Sequence, residues 1–348
     1  GEYRLNTNAY DFRTQTVSYP TRVLETIEGF DISSQASPMG RYGGYNDICY
    51  VAEGKYYTKQ INERWWLIDP DGHPIYPLGV CLVTPGESSN QNRRMLEVFG
   101  TTGNWAQQTR SLLKDELFFN MSGGFSRNEW LGGNTVENSM ALTEWISFLR
   151  WYGYTIGVAT GSANESNVFT QNNTMPVFDP DFVTYADNIA RSNAERCNNN
   201  EYFIGWMSDN ELPATDAMLI NYLTLNTDNP INAYSYAAAW TWLCDYTGKD
   251  NPQISDVTDA MKEDFIEFVY DRYYSVCATA IKKWSPDKLY LGSRHVVSNY
   301  LRKSTMAAAG RWCDIVSINV YCEWTPKSLL MADWYEWSKK PYMVTEFY

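Results

Sequence analysis

Tyr202-Phe203-Ile204-Gly205-Trp206-Met207-Ser208-Asp209-Asn210-Glu211-Leu212 is an apolar run that closes on polar side chains and is followed at once by Pro213. The pattern predicts a buried strand whose C-terminal tip presents Glu211. A lone glutamate in such a place is most simply a solvated acid at the start of a loop. A second stretch, Pro341-Tyr342-Met343-Val344-Thr345-Glu346-Phe347, repeats the pattern and puts Glu346 at its own tip. The fold therefore turns on how many strands the chain places between and beside these two.

Working outward, helices over 107–117, 140–152, 182–196, 257–284, 296–309 and 328–338 precede strands over 118–125, 154–160, 202–212, 288–294, 313–321 and 342–347. Strands that alternate with helices of this length read as parallel βα units, and the strand over 76–81 brings their number to seven. An open doubly wound sheet wants a glycine-rich phosphate turn after its first strand, and Cys81-Leu82-Val83-Thr84-Pro85-Gly86-Glu87 is not one. Polar residues gather instead at several strand ends: Ser126 and Arg127, Asn210 and Glu211, Arg294 and His295, Asn319 and Tyr321, and Glu346. Functional groups drawn from many strand tips are the mark of a (β/α)8 TIM barrel, which is the expected α/β fold.

The barrel is expected over 61–348, with an insertion at 213–252 in the loop after the fourth strand that extends over the strand tips. An irregular layer with some β structure over 1–60 is expected to pack on it. Asp69-Pro70-Asp71-Gly72 between two apolar runs predicts a hairpin at the entrance to the first barrel strand. The seventh strand runs to the end of the sequence at Tyr348, so the expectation is a barrel cut short after strand seven and completed from elsewhere. A seven-stranded or open variant is the rival.

Composition narrows the partners. Basic residues number 28 against 41 acidic ones, a net charge of −13 without clustered cations, which argues against a nucleic-acid partner and against a densely sulfated polymer. Aromatic residues make up 16%, including 14 Trp and 26 Tyr, a surplus of flat rings of the kind that stack on sugars, although many are needed to fill a large core. The seven cysteines are scattered without a C-x-x-C pair and there are only two histidines, so neither a metal nor a cofactor is expected. No apolar run is long enough for a membrane span.

Two strand-tip carboxylates on opposite sides of a barrel mouth suit hydrolysis of a glycosidic bond, which needs one acid for the leaving oxygen and a second carboxylate across the sugar. Asn210-Glu211 and Thr345-Glu346-Phe347 resemble the acid/base and nucleophile motifs of the large clan of retaining (β/α)8 glycoside hydrolases, clan GH-A, which carries them on strands four and seven. Three stretches are similar, more narrowly, to agarase-like (GH50-type) members: Arg64-Trp65-Trp66-Leu67-Ile68-Asp69-Pro70-Asp71-Gly72-His73-Pro74, Pro176-Val177-Phe178-Asp179-Pro180-Asp181-Phe182, and Gly205-Trp206-Met207-Ser208-Asp209-Asn210-Glu211-Leu212. The resemblance runs from about residue 60 to the end. It implies cleavage of a β-linked galactan of the agarose type, and hence a secreted, periplasmic or cell-surface protein. Another β-galactoside or a mannan, and a carbohydrate-binding barrel without turnover, remain the alternatives.

By the same resemblance Glu211 is the general acid/base, Glu346 the nucleophile, Asn210 the ligand of the sugar 2-hydroxyl, and Tyr321 the phenol that keeps Glu346 ionised. The clan's tryptophan platform on strand eight has no counterpart here. Arg127, Asn128, Arg294, His295 and Asn319 are further candidates for binding sugar hydroxyls. Trp130 and Trp324, in loops after strands, are candidates for stacking on a sugar ring.

Overall fold

A computed structural model of the chain describes residues 2–7, 15–20, 39–133, 138–159, 169, 173–297, 301–321 and 328–347, with the side chains of 2–7, 15–20 and 328–330 left aside. The chain divides into two compact units, Gly1–Pro38 and Met39–Tyr348. The first contains an antiparallel pair, β1 (Glu2–Thr7) and β2 (Gln15–Pro20), with Glu2 opposite Pro20 and Thr7 opposite Gln15. Residues 39–60 of the expected N-terminal layer fall in the second unit.

The second unit begins with an antiparallel sheet of β3 (Tyr57–Ile61), β4 (Arg64–Ile68) and β5 (Pro74–Ile75). The turn joining β4 to β5 is built by Asp69, whose Oδ1 accepts from Asp71 N at 3.0 Å and His73 N at 2.9 Å. Gly72 takes φ +93° there, a conformation that side-chain-bearing residues seldom adopt.

Then come β6 (Gly79–Val80), α1 (Ser89–Phe99) and α2 (Thr102–Ser111), the last extended by a π-helical turn over Leu112–Glu116. They lead to β7 (Met121–Ser122), the short α3 (Asn128–Leu131), β8 (Ala141–Ile146), α4 (Phe148–Thr155) and α5 (Pro180–Cys197). After β9 (Phe203–Ser208) come α6 (Met218–Leu223), α7 (Pro230–Thr247) and the long α8 (Asp259–Trp284). The chain ends on β10 (Leu289–Tyr290), β11 (His295–Val296), α9 (Lys303–Trp312), β12 (Val316–Val320), α10 (Ser328–Ser338) and β13 (Tyr342–Phe347).

Strands β6 to β10 pair in parallel and in chain order, and so do β11, β12 and β13. The two stretches are continuous: Asn210 bridges Arg294 in parallel register, and Ser317 N donates to Leu291 O at 3.0 Å. β10 and β11 are thus one strand position interrupted around Gly292 (φ +72°). Seven parallel positions result, and the sheet curves far enough for Cys81, just past β6, to donate from Sγ to Thr345 O of β13 at 3.2 Å. Among the described residues no backbone pairing joins β13 to β6, so the sheet is not closed.

The third strand is not the expected one. Residues 140–152, whose pattern predicts a helix, hold β8 and the start of α4; of the expected strand over 154–160, Tyr154 and Thr155 end α4, and among the described residues Ala159 alone makes a bridge, an isolated one to Phe169. Trp145, Phe148, Leu149 and Tyr152 do fall at helical spacing, but pairing with β7 and β9 on both sides makes Ala141–Ile146 a strand. Likewise the helix expected from 296 begins only at Lys303, because Val296 pairs with Asn319.

β9 and β12 are buried at every position, as befits strands covered on both faces. The outer face packs on the helices, with Phe265, Ile266, Val269, Tyr270 and Tyr273 of α8 supplying a large share of that core. The inner face, with Met121, Ala141, Ile204, Met207, Leu289 and Ile315, packs on Tyr42, Tyr56, Leu67 and Ile75 from the segment containing β3–β5. The insertion over 213–252 contains α6 and α7, and Trp242 of α7 packs edge-on to Phe265 of α8, ring centroids 5.2 Å apart.

Candidate active site

The site is built on the end of β9, and the phase of that strand is set by a bulge. Leu142 pairs with Phe203 and Thr143 with Gly205, so β9 carries one residue more than β8. An extra residue reverses which side chains face in: Phe203 and Trp206 join the helix-facing core, whereas Ile204 and Met207 join the inner one. Gly205 is required, since a Cβ there would collide with the Leu289 carbonyl.

Beyond the strand, φ is +47° at Asp209 and +53° at Glu211. Asn210 and Glu211 both line a cleft of ≈ 850 Å³. The ends of β6, β7, β8, β12 and β13 contribute to the same cleft, as do Arg150 from α4 and Arg196 from α5. Glu346, in β13, lines it as well.

A single hydrogen-bonded chain links the two glutamates. Asn319 Nδ2 donates to Glu211 Oε1 at 3.0 Å and to Asn210 Oδ1 at 3.4 Å. Arg294 donates from Nη1 to Asn210 Oδ1 at 3.1 Å, and from Nη2 to Thr345 O at 3.1 Å and Glu346 Oε2 at 2.7 Å. Thr345 Oγ1 closes the loop by donating to Asn319 Oδ1 at 3.0 Å. Arg294 is fully buried, with its guanidinium 4.5 Å from the centroid of the Phe125 ring. Gly124 makes room for it, because a Cβ there would lie 3.2 Å from Arg294 Cζ.

Of the residues singled out from the sequence, Glu211, Glu346, Asn210, Tyr321, Arg127 and Asn128 line the cleft. Asn128 is held from both ends of its amide, by Ser122 Oγ at 2.8 Å and the Thr143 carbonyl at 2.9 Å, and Arg127 lies 3.9 Å from Glu129. Asn319 and Arg294 sit beneath the cleft as the network that supports it. His295 points the other way, into the helix layer, where Nε2 lies 2.7 Å from Tyr274 Oη and the ring stacks on Tyr270. Burial alone lowers its pKa to about 4. Trp130 is partly exposed on α3 and is not among the residues lining the cleft, and Trp324 lies outside the described residues.

The cleft also contains residues that the sequence reading missed. Phe125, from the loop after β7, meets Trp145 of β8 edge-on with ring centroids 5.1 Å apart. Glu144 pairs with Arg196 at 3.4 Å, and Glu87 comes from the loop after β6. Glu144, Trp145 and Arg150 all belong to the segment whose spacing predicts a helix, and that pattern hides the strand end. Behind the cleft lies Asp209, fully buried, whose pKa desolvation raises to about 6 against the opposing pull of its hydrogen-bond donors.

No family model matches the chain, and no curated protein matches it. Solved structures do match. The structure described as BpGH50 superposes with a TM-score of 0.74 at 23% identity, over 96% of this chain and 73% of that one. An exo-β-agarase superposes with a TM-score of 0.65 at 17% identity, over 89% of this chain and 56% of the other. The agarase AgWH50C gives the same score and identity, over 89% of this chain and 52% of its own. This chain thus spans little more than half the length of the two agarases, and it shares with all three structures an α/β fold of helices around a parallel sheet.

Proposed function

We propose that the chain carries the active site of a retaining glycoside hydrolase acting on a β-linked galactan of the agarose type, on a (β/α)8-type barrel with its acid/base on strand four and its nucleophile on strand seven. One observation carries the reading: Glu211 at the fourth parallel strand position and Glu346 at the seventh face a common cleft and are tied through Asn319, Asn210 and Arg294. The curvature that brings Cys81 to Thr345 supports the barrel, and the likeness to two structures described as agarases supports the substrate. The carboxylates of Glu87, Glu129, Glu144, Glu211 and Glu346 outnumber the guanidiniums of Arg127, Arg150 and Arg196 in the cleft, which favours neutral stretches of the polymer.

In the first step a Glu346 oxygen attacks the anomeric carbon while Glu211 gives its proton to the departing oxygen, leaving a glycosyl ester. In the second, Glu211 takes a proton from water, the water oxygen attacks the anomeric carbon, and Glu346 departs as carboxylate. Arg294 holds Glu346 by a charge-assisted bond that also orients the oxygen. To Asn210, fixed through Oδ1, we assign the contact with the 2-hydroxyl, and to Tyr321, which lines the same cleft, the role of donor to Glu346. A polymeric substrate places such an enzyme outside the cell or on its surface.

The test is to incubate the protein with agarose, porphyran, carrageenan and plant galactans, size the products, and follow the anomeric configuration by NMR. Reducing ends appear with retained configuration. Glu346→Gln lowers kcat by on the order of 10⁴ or more, and Glu211→Gln by about 10²–10⁴ on unactivated substrate. Inverted products sink the double displacement, cleavage of another β-galactoside or a mannan alone reassigns the substrate, and glycan binding without any cleavage assigns the barrel to recognition instead.

A further inference from the structure

Successive residues of a strand point to opposite faces, yet Asn210 and Glu211 both accept from Asn319 Nδ2 on the cleft side. On the helix side, Ser208 and Asp209 are also successive, and Tyr273 Oη lies 2.9 Å from Ser208 Oγ and 2.8 Å from Asp209 Oδ2. Alternation is suspended over four residues, and the left-handed φ angles at Asp209 and Glu211 show where. Such angles are uncommon outside glycine; Asp tolerates them better than most residues, and the longer Glu211 needs its surroundings to impose its own.

Asp209 supplies that imposition. Both of its carboxylate oxygens lie 3.0 Å from Leu149 N, Oδ1 accepts from Arg150 N at 3.2 Å and from Ser147 Oγ at 3.3 Å, and Oδ2 takes the Tyr273 phenol. These donors belong to the first turn of α4, its preceding residue and the middle of α8. Ser208 Oγ meets Tyr290 Oη at 2.6 Å, so the phenol that holds Asp209 is itself part of a buried hydroxyl row. One side chain therefore fastens the tip of β9 to two helices, two residues before the cleft-facing carboxylate.

We propose that Asp209 is the positioning residue for Glu211: its carboxylate, bonded to the start of α4 and to Tyr273, fixes the left-handed turn that directs Glu211 into the cleft beside Asn319. This deepens the reading of Glu211 as the acid/base and rests on it. A displaced acid matters most when the leaving oxygen needs a proton and least when the leaving group departs unaided. A general loosening of the fold would lower both alike.

The experiment compares the full chain with Asp209→Asn and Tyr273→Phe, using aryl glycosides of the cleaved sugar with phenol and with dinitrophenol as leaving groups. For Asp209→Asn, kcat/KM on the phenyl glycoside falls by about tenfold or more while that on the dinitrophenyl glycoside stays within about twofold. Tyr273→Phe, which deletes one donor and keeps the ring, shows the same inequality at smaller size and carries the test if Asp209→Asn does not fold. Crystal structures of parent and variant then show the Glu211–Asn319 bond present in the first and lost in the second. Equal losses on both leaving groups, or that bond unchanged in the variant, overturn the proposal. A parent that cleaves no glycoside sinks the enzyme reading alone, and the comparison of the two structures still decides the positioning.

Discussion

Arg294 shows what one residue can do from beneath a site. It is fully buried, and its guanidinium serves the Asn210 amide, the Thr345 carbonyl and the Glu346 carboxylate at once, with the face of Phe125 beside it. Three acceptors at fixed angles need a planar fork, which an ammonium does not provide. Arg294→Lys is therefore expected to release Asn210 or the Thr345 carbonyl, to lower kcat more than it raises KM, and to lower stability by about 2–3 kcal/mol, less than a wholly buried pair would lose because Glu346 is partly exposed. Urea unfolding alongside kinetics checks this, and unchanged stability would mean that the network does not support the site. The sequence marked Arg294 and His295 together because both follow a strand. It did not show that neighbours in an extended chain face opposite ways, so that one enters the network below the cleft and the other the helix layer. That Glu211, Glu346, Asn210 and Tyr321 line one cleft follows from their places at or just past the C-terminal ends of parallel strands, which the alternation of strands and helices in the sequence reveals.

At the scale of the element, β8 and β9 decide what could be read. The apolar run around Trp206 announced β9, but the register shift against β8 leaves no mark that a composition reading detects except Gly205. For β8 the signals conflicted, since Trp145, Phe148, Leu149 and Tyr152 repeat at helical spacing across the junction of a strand and a helix. Local periodicity cannot see the two partner strands that settle the matter, and the cleft residues Glu144 and Trp145 were lost with it. The bulge itself is testable. A methyl group at position 205 has no space against the Leu289 backbone, which cannot yield as a flexible side chain does. Gly205→Ala is expected to cost about 2–3 kcal/mol by overpacking and to shift the phase of the strand tip, lowering the urea midpoint and activity together. A variant as stable and active as the parent would show that the bulge does not set the position of Glu211.

At the scale of the molecule, two buried titrating groups leave opposite marks on stability. His295 is held neutral by burial, its pKa lowered to about 4 from 6.5. The unfolded chain takes up this proton first as pH falls, so the stability present above pH 6.5 is lost on the way down to about pH 4. Asp209 behaves in the reverse sense. Desolvation raises its pKa to about 6 from 3.8, the folded chain keeps the proton longer, and the stability present in acid is lost as pH rises through about 6. Over pH 4–6 the two slopes therefore oppose each other. Replacing one group exposes the other against the common background of surface carboxylates. Relative to the parent, the unfolding free energy of His295→Gln is expected to fall as pH rises from 4 to 6, and that of Asp209→Asn to rise over the same range. Urea titrations of the three proteins at half-unit pH intervals measure both differences. Parallel curves for all three would show that neither group differs between the folded and unfolded chain, and opposite slopes would tie the buried side of β9 and β11 to the pH range in which the protein is most stable.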